Sequence, residues 1–242
     1  MKKLLITGSE GIVGSVLVAG LSKHYDLYRL DRADLREKKY FRVDISDFES
    51  LKKVFEKIVG LDYVIHLAAD SHADATWESV LRNNIIGVHN LYEAAKLYKI
   101  KKVIFASTNH VTGAYEGFPP ILHEQKNPKK IKISDPVRPD GDYATSKVFG
   151  EIVARQYFEL YGLPSISIRI GSFSTSNKPD SERFERMYLS HRDTVQLFNK
   201  ALNSQVDYGI YYGISKNSSA FFDIKNAQAD LGYEPQDDGS KV

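Results

Sequence analysis

The chain has 242 residues, of which 42% are hydrophobic, and its 33 basic and 31 acidic side chains give a net charge of +2. This balance, spread along the chain, argues against a dedicated nucleic-acid surface, and the length suits a single domain with a sizeable core. Cysteine is absent, which excludes disulfides and thiolate metal sites, and no signal-peptide or membrane-spanning pattern is apparent, so we expect a soluble, cytoplasmic protein without a metal or membrane partner.

The first predicted element is a short apolar strand, Lys3–Thr7, which runs into a helix that starts near Gly11. Glycine recurs at this junction, at Gly8, Gly11 and Gly14. The first glycine permits a tight turn, the second lets a pyrophosphate approach the backbone, and the third lets the helix pack close to the sheet. Turn glycines alone are common, but this trio joins the first strand to the first helix. It therefore predicts a dinucleotide-binding junction.

The second predicted strand covers residues 26–30 and ends at Asp31. A carboxylate at this place can accept hydrogen bonds from an adenosine ribose and repels a ribose phosphate, which favours NAD over NADP. Arg32 follows directly and is able to pair with such a phosphate, so the cofactor preference needs a test.

Strands and helices continue to alternate after this point. The pattern predicts a helix over 47–59, a strand over 64–68, a helix over 77–98, a strand over 102–107, a helix from Tyr143 to Gly162, a strand over 165–170 and a further strand around Tyr208. Such alternation predicts an α/β fold with a doubly wound parallel sheet. We expect a single Rossmann-type domain over 1–242, with a small C-terminal substrate-binding lobe mainly within 172–242.

Ligands bind such sheets at the carboxyl ends of the strands. The positions that fall there are Gly8, Asp31, Ala68, Ser107 and Gly171. The longest segment without clear periodicity, 113–142, is rich in proline and leads into the helix that begins near Tyr143. We expect this segment to cover the substrate.

Tyr143 and Lys147 are four residues apart and lie on one face of the predicted helix. A lysine charge close to a phenol favours the phenolate, so we expect a lowered tyrosine pKa and a general acid/base. On spacing alone, an ordinary surface pair on an amphipathic helix is the more common explanation. The glycine junction at the other end of the chain favours the catalytic interpretation.

Several segments resemble motifs of extended short-chain dehydrogenases/reductases, the NAD-dependent epimerase/dehydratase superfamily: TGSEGIVG, HLAA, NIIGVHNLYEAA, FASTNHV and YATSK. A further set is similar to uronate dehydrogenases in particular: RPDGDYATSKVFGE, RIGS and LSHRD. The resemblance implies oxidation of the C1 hydroxyl of a hexuronic acid, or of a related acidic or phosphorylated sugar, to a lactone with NAD. It is more specific for the reaction class than for the sugar.

The same resemblance implies roles for individual residues. Tyr143 is the acid/base, Lys147 supports it and bonds the nicotinamide ribose, Thr108 replaces the usual serine that orients the hydroxyl, and Asn84 supports the active-site helix. The implied cofactor contacts are Gly8, Gly11, Ile12, Val13, Gly14, Asp31, Asp44, Ile45, Leu67, Ala68, Ala69, Tyr143, Lys147 and Ile170. The implied substrate contacts are Ser71, Thr108, Asn109, His110, Ser172 and Arg183.

The arginine that would grip the sugar's acidic group is either Arg183 or Arg186, and alignment back from LSH favours Arg183. Two other functions stay open at this stage: a nucleotide-sugar epimerase or dehydratase, and an NAD-binding sensor without turnover. An apolar stripe within 148–160 also leaves a homo-oligomer possible.

Overall fold

The computed structural model describes residues 1–72 and 74–242. Within them, seven strands form one parallel sheet in the order β3-β2-β1-β4-β5-β6-β7. The strands are β1 (Lys3–Thr7), β2 (Asp26–Asp31), β3 (Tyr40–Arg42), β4 (Tyr63–His66), β5 (Lys102–Thr108), β6 (Ser165–Ile170) and β7 (Tyr208–Gly213). The order reverses direction at β1, which confirms the predicted doubly wound sheet.

Helices cover both faces of this sheet. They are α1 (Ile12–Leu21), α2 (Phe48–Lys57), α3 (Trp77–Val80), α4 (Gly87–Leu97), α5 (Asp142–Tyr161), α6 (Glu182–Glu185), α7 (His191–Asn203) and α8 (Lys225–Leu231). Segments of 3₁₀-helix cover Asn109–Glu116, Leu122–Glu124 and Gly239–Lys241. None of the helices in the described ranges is long and apolar enough to cross a membrane.

Two hydrophobic cores hold the helices against the sheet. One packs α2, α4 and α5 on one face, and the other packs α1, α7 and α8 on the opposite face. Strands β4 and β5 are buried along their whole length because both faces are covered, and this explains why they read as continuous apolar runs. A third, smaller cluster around Tyr212 and Phe222 packs the segment after β7 against the residues before α5.

The helix predicted over 77–98 is divided into three parts. A π-helical segment, Leu81–Ile86, separates α3 from α4. A π turn accommodates one more residue than an α turn, and Asn83 and Asn84 both become buried there. Their side chains face two different parts of the site described below.

Candidate active site

A cavity of about 740 Å³ lies along the carboxyl ends of the strands. It brings together all the predicted cofactor residues and all the predicted substrate residues except Arg183. Residues at the ends of β2, β5 and β6 and directly after β1 and β4 line it, although they are far apart in the chain. Asn84 lies outside the lining, whereas its neighbour Asn83 is part of it.

The glycine junction forms one wall of the cavity and depends on close backbone contacts. Gly8 has φ of +71°, and a Cβ there would lie 2.6 Å from the Ala68 nitrogen. A Cβ on Gly14 would lie 2.2 Å from the Gly8 carbonyl oxygen. Helix α1 starts after Gly11 without a side-chain cap, so its first N–H groups stay available to a ligand. The junction thus fits the phosphates of a dinucleotide.

The carboxylate of Asp31 is held at the end of β2 by backbone donors. Its Oδ1 accepts from the Arg32 nitrogen at 2.7 Å, and its Oδ2 accepts from the Glu10 nitrogen at 3.0 Å. These bonds orient the carboxylate toward the cavity wall and leave lone pairs for a ribose. The Arg32 guanidinium donates to Asn83 Oδ1 at 3.3 Å, which ties the neighbouring basic group to the π-helical segment.

Asp44, another implied cofactor contact, also lines the cavity. It accepts from the Ser46 nitrogen at 2.9 Å and from Arg82 Nη2 at 2.9 Å. Burial acts to raise the pKa of the carboxyl, but the Ser46 bonds and the Arg82 charge outweigh it, and the pKa falls below its ordinary value. Asp44 is therefore ionised at neutral pH.

Tyr143 and Lys147 lie in the first two turns of α5 and both line the cavity. The Lys147 ammonium donates to the Ala106 carbonyl at 2.8 Å and lies 5.8 Å from the centre of the Tyr143 ring. Burial lowers the Lys147 pKa from 10.5 to about 8. Because the ammonium is bonded to a backbone carbonyl, it is held in place beside the phenol.

The expected lowering of the Tyr143 pKa is wrong. Burial raises the pKa of the phenol to about 12, and the nearby Asp140 and Asp70 carboxylates act in the same direction. The interaction with the Thr108 side chain opposes this rise without cancelling it. The spacing of tyrosine and lysine is visible in the sequence, whereas the desolvation of the phenol depends on the folded surroundings.

The end of β5 and the following 3₁₀ turn supply polar groups opposite Tyr143. Thr108, Asn109 and His110 all line the cavity there. His110 Nδ1 lies 2.7 Å from Asp140 Oδ2, and its ring meets the Tyr143 ring edge-on at 6.2 Å. Asp140 was not singled out from the sequence, although it lies in the RPDG motif. It fixes the His110 ring beside the phenol.

Asn84 lies outside the cavity lining and bonds both α5 and the loop after β4. Its Nδ2 donates to the Ser146 hydroxyl on α5 and to the Asp70 carbonyl, both at 2.9 Å, and its Oδ1 accepts from the Asp70 nitrogen at 2.7 Å. These bonds join α5 to the loop after β4. The supporting role that the resemblance implies stays a prediction.

A buried ion pair, which sequence reasoning missed, anchors α5 beneath the cavity. Arg169 of β6 donates from Nε and Nη2 to the two oxygens of Glu151 at 2.9 and 2.8 Å. The Ser107 hydroxyl also donates to Glu151, at 2.6 Å. Full pairing makes the burial of these charges tolerable. The network fixes the end of β5, next to Thr108, relative to α5.

The far end of the cavity has apolar walls that the sequence did not predict. Phe173, Phe184 and Met187 line it, and Phe173 stacks on His191 with ring centres 5.0 Å apart. They follow β6 in a segment with little regular structure, which leaves no periodic signal. Ser172 lies between these residues and β6 and lines the cavity as predicted.

Neither candidate arginine lines the cavity. Arg183 donates from Nε to Glu116 Oε2 at 2.6 Å and from Nη2 to Oε1 at 3.2 Å. Arg186 is nearly buried and donates to the Gln125 carbonyl at 3.2 Å and to Glu182 at 3.0 Å. A contact between Arg183 and the substrate therefore stays a prediction.

No group of three or more His, Cys, Asp or Glu side chains in the described part of the chain is arranged to hold a metal ion. The arrangement instead suits a dinucleotide along the glycine junction and a small polar molecule between Tyr143 and the apolar walls. The tyrosine, the threonine and the lysine then surround the place where a hydroxyl would react.

The chain is similar to known proteins in both sequence and fold. The sequence model of the "NAD dependent epimerase/dehydratase family" matches residues 4–205. The NAD-dependent glucose-6-phosphate dehydrogenase of Haloferax volcanii is 34% identical over 98% of this chain and 94% of its own length. The uronate dehydrogenase of Pseudomonas syringae pv. tomato is 34% identical over 97% of this chain and 82% of its own.

The crystal structure of uronate dehydrogenase from Agrobacterium tumefaciens superposes with a TM-score of 0.88 at 30% identity and covers 99% of this chain and 86% of that protein. The family match spans most of the chain, and the sequence and fold similarities cover nearly all of it. The chain therefore belongs to the NAD dependent epimerase/dehydratase family, which confirms both the predicted resemblance and NAD as the cofactor.

Proposed function

We propose that this chain oxidises the C1 hydroxyl of a hexuronic acid, or of a related acidic or phosphorylated sugar, to a lactone, with NAD as the hydride acceptor and Tyr143 as the acid/base. One observation carries the proposal: the cavity joins a dinucleotide junction at Gly8 to a tyrosine, a threonine hydroxyl and a buried lysine at its other end. Relatives named for uronate and for glucose 6-phosphate, similar over nearly the whole chain, support the substrate class.

The residues of the chain would divide the chemistry as follows. The glycine junction would hold the pyrophosphate of NAD and Asp31 its adenosine ribose, and the cofactor would supply the hydride-accepting chemistry. Thr108 would orient the sugar hydroxyl, Tyr143 would remove its proton, and Lys147 would hold the second ribose. The apolar walls around Phe184 would exclude water from the reacting atoms.

The raised pKa of Tyr143 sets a condition for this mechanism. At neutral pH a phenol with this pKa is protonated, so we expect its pKa to fall when the substrate hydroxyl reacts. A positive charge beside a phenol lowers its pKa, and Lys147, fixed by the Ala106 carbonyl, supplies one when it is protonated.

A sugar panel tests the proposal directly. The purified protein is mixed with NAD and, in turn, D-glucuronate, D-galacturonate, glucose 6-phosphate, D-glucose and D-galactose, and NADH is followed by its absorbance. We expect NADH with at least one acidic sugar, and NMR of the product should identify the lactone. Absence of NADH with every sugar would contradict the proposed reaction.

Substitution of Asp31 is expected to weaken NAD binding. In Asp31→Ala the ribose loses a charged acceptor, so the dissociation constant of NAD should rise about tenfold. The difference between the dissociation constants of NAD and NADP should become smaller. Titration of both cofactors by fluorescence measures this. Arg32→Ala is the matched control, because it removes the adjacent basic group and should leave NAD binding near wild type. An unchanged NAD affinity in Asp31→Ala would reduce Asp31 to a strand-end residue.

Substitution of Arg183 is expected to affect only acidic sugars. Arg183→Ala should raise KM for a uronate about tenfold or more, because a charged hydrogen bond is lost, and should leave KM for NAD unchanged. Arg183→Lys should behave similarly, since an ammonium cannot reproduce the planar fork. Arg186→Ala is the control. If that variant raises KM for the uronate and Arg183→Ala does not, Arg186 is the anion contact.

A further inference from the structure

The ion pair between Arg183 and Glu116 joins two walls of the sugar end. Glu116 closes the 3₁₀ turn that begins with Asn109 and His110, and Arg183 precedes Phe184, which lines the cavity. The Glu116 side chain is 1% exposed, whereas the Arg183 side chain is 21% exposed. A buried carboxylate thus holds a partly exposed guanidinium beside the proposed substrate pocket.

Other basic side chains near the proposed sugar end have partners of their own. The Lys147 ammonium is bonded to the Ala106 carbonyl, and His110 is paired with Asp140. Arg169 is 2% exposed and donates from Nε and Nη2 to the two carboxylate oxygens of Glu151. The Arg183 side chain is 21% exposed, whereas that of Arg169 is 2% exposed, so an acidic group on the sugar can reach the Arg183 guanidinium.

Glu116 uses only part of the guanidinium. An arginine has five N–H donors, and Glu116 accepts from Nε and from one position of Nη2. The remaining donors, on Nη1 and Nη2, are enough for a second carboxylate or a phosphate. The acidic group of the sugar either binds these remaining donors or draws the Arg183 side chain away from Glu116. In both cases the negative charge of Glu116 repels the negative charge of the sugar.

We propose that Glu116 determines the charge preference of the sugar pocket by competing with the acidic group of the substrate for Arg183. This rests on the proposed oxidation of an acidic sugar. Because Arg183 is already neutralised, the wild-type protein discriminates only weakly between a uronate and the neutral sugar that lacks its carboxylate. Removal of the charge at Glu116 makes the pocket more selective for acids.

The substitution Glu116→Gln isolates the charge. Glutamine keeps the size of glutamate and one carbonyl oxygen for Arg183 Nε, but it carries no negative charge. We expect KM for D-galacturonate to fall about fivefold or more and KM for D-galactose to stay within about twofold. The pair of D-glucuronate and D-glucose provides an independent repeat. In the double variant Glu116→Gln with Arg183→Ala, the gain for the uronate should disappear.

Glu182→Gln is the matched control. Glu182 lies beside Arg183 in the short helix α6, but its carboxylate pairs with Arg186. It should leave the ratio of the two KM values unchanged. An unchanged uronate KM in Glu116→Gln, or an equal change for the neutral sugar, would overturn the proposal and leave the ion pair a structural clasp. NAD titration and thermal unfolding establish that the variants are folded.

If Glu116→Gln does not fold, the proposal is tested on the wild-type protein by its preference between a uronate and a neutral sugar. The ratio of kcat/KM for the uronate to that for its neutral counterpart should be at most about tenfold, and a larger ratio overturns the proposal. Failure of the proposed function looks different, because no sugar would then yield NADH. Failure of this inference leaves NADH formation intact and the charge preference insensitive to Glu116.

Discussion

Replacement of Tyr143 by phenylalanine is expected to lower the turnover number about a hundredfold or more, with NAD binding close to wild type. The ring would keep its edge-on contact with His110, while the hydroxyl that we propose exchanges the proton is lost. Steady-state NADH formation and cofactor titration measure the two effects separately.

Tyr157→Phe is the matched control for this substitution. Tyr157 lies on the same helix, α5, but its hydroxyl bonds Glu93, and it packs in the core between α4 and α5 instead of lining the cavity. Its loss should leave turnover near wild type. If Tyr143→Phe retains more than about a tenth of the activity, Tyr143 is not the base.

Replacement of Lys147 by methionine is expected to abolish turnover and, at pH 7, to stabilise the cofactor-free protein. Burial lowers the Lys147 pKa from 10.5 to about 8, so the folded state binds this proton less tightly than the unfolded chain does. The shift corresponds to about 3 kcal/mol of lost stability at pH 7. Allowing about 1 kcal/mol for the lost contact, methionine should gain about 2 kcal/mol.

The sign of the pH dependence follows from the same shift. Below about pH 8 Lys147 is protonated in both states and its destabilising contribution is fully present. Between pH 8 and 10.5 the unfolded chain binds more protons than the folded protein, so wild-type stability rises relative to Lys147→Met. Denaturant unfolding at pH 7 and pH 10 should therefore give a larger advantage for the variant at pH 7.

Lys102→Met separates the two consequences of the lysine substitution. Lys102 is also a buried lysine, 6% exposed, but it lies at the start of β5 and donates to backbone carbonyls away from the cavity. Turnover should survive this change. A Lys147→Met variant that is less stable than wild type at pH 7 would contradict the argument from burial.

Much of the fold could be predicted because the strands are buried on both faces. Strands β4 and β5 read as apolar runs, and the glycines after β1 mark the turn to α1. Strand β3 escaped prediction because it has only three residues, Tyr40–Arg42, none of them fully buried. Short edge strands leave too few positions for a hydrophobic pattern.

The candidate site was predictable where one element carries it and hidden where two elements meet. The spacing of Tyr143 and Lys147 is a property of one helix, whereas the pairing of Glu151 with Arg169 joins a helix to a strand. The same limit explains why the ion pair of Arg183 was not predicted, since its partner Glu116 lies in a different segment of the chain. Opposite charges that meet only in the folded protein leave no local sequence signal.

The π-helical turn at Leu81–Ile86 has a consequence for how the gene can change. It lets Asn83 reach Arg32 at the adenosine end while Asn84 reaches Ser146 at the catalytic end. Deletion of one residue would restore a regular α-helix and rotate α3 by about 100° relative to α4. The two asparagines would then no longer both face inward. A library of single-codon deletions across this turn should lose cofactor binding and catalysis together, while substitutions at its exposed positions should be tolerated.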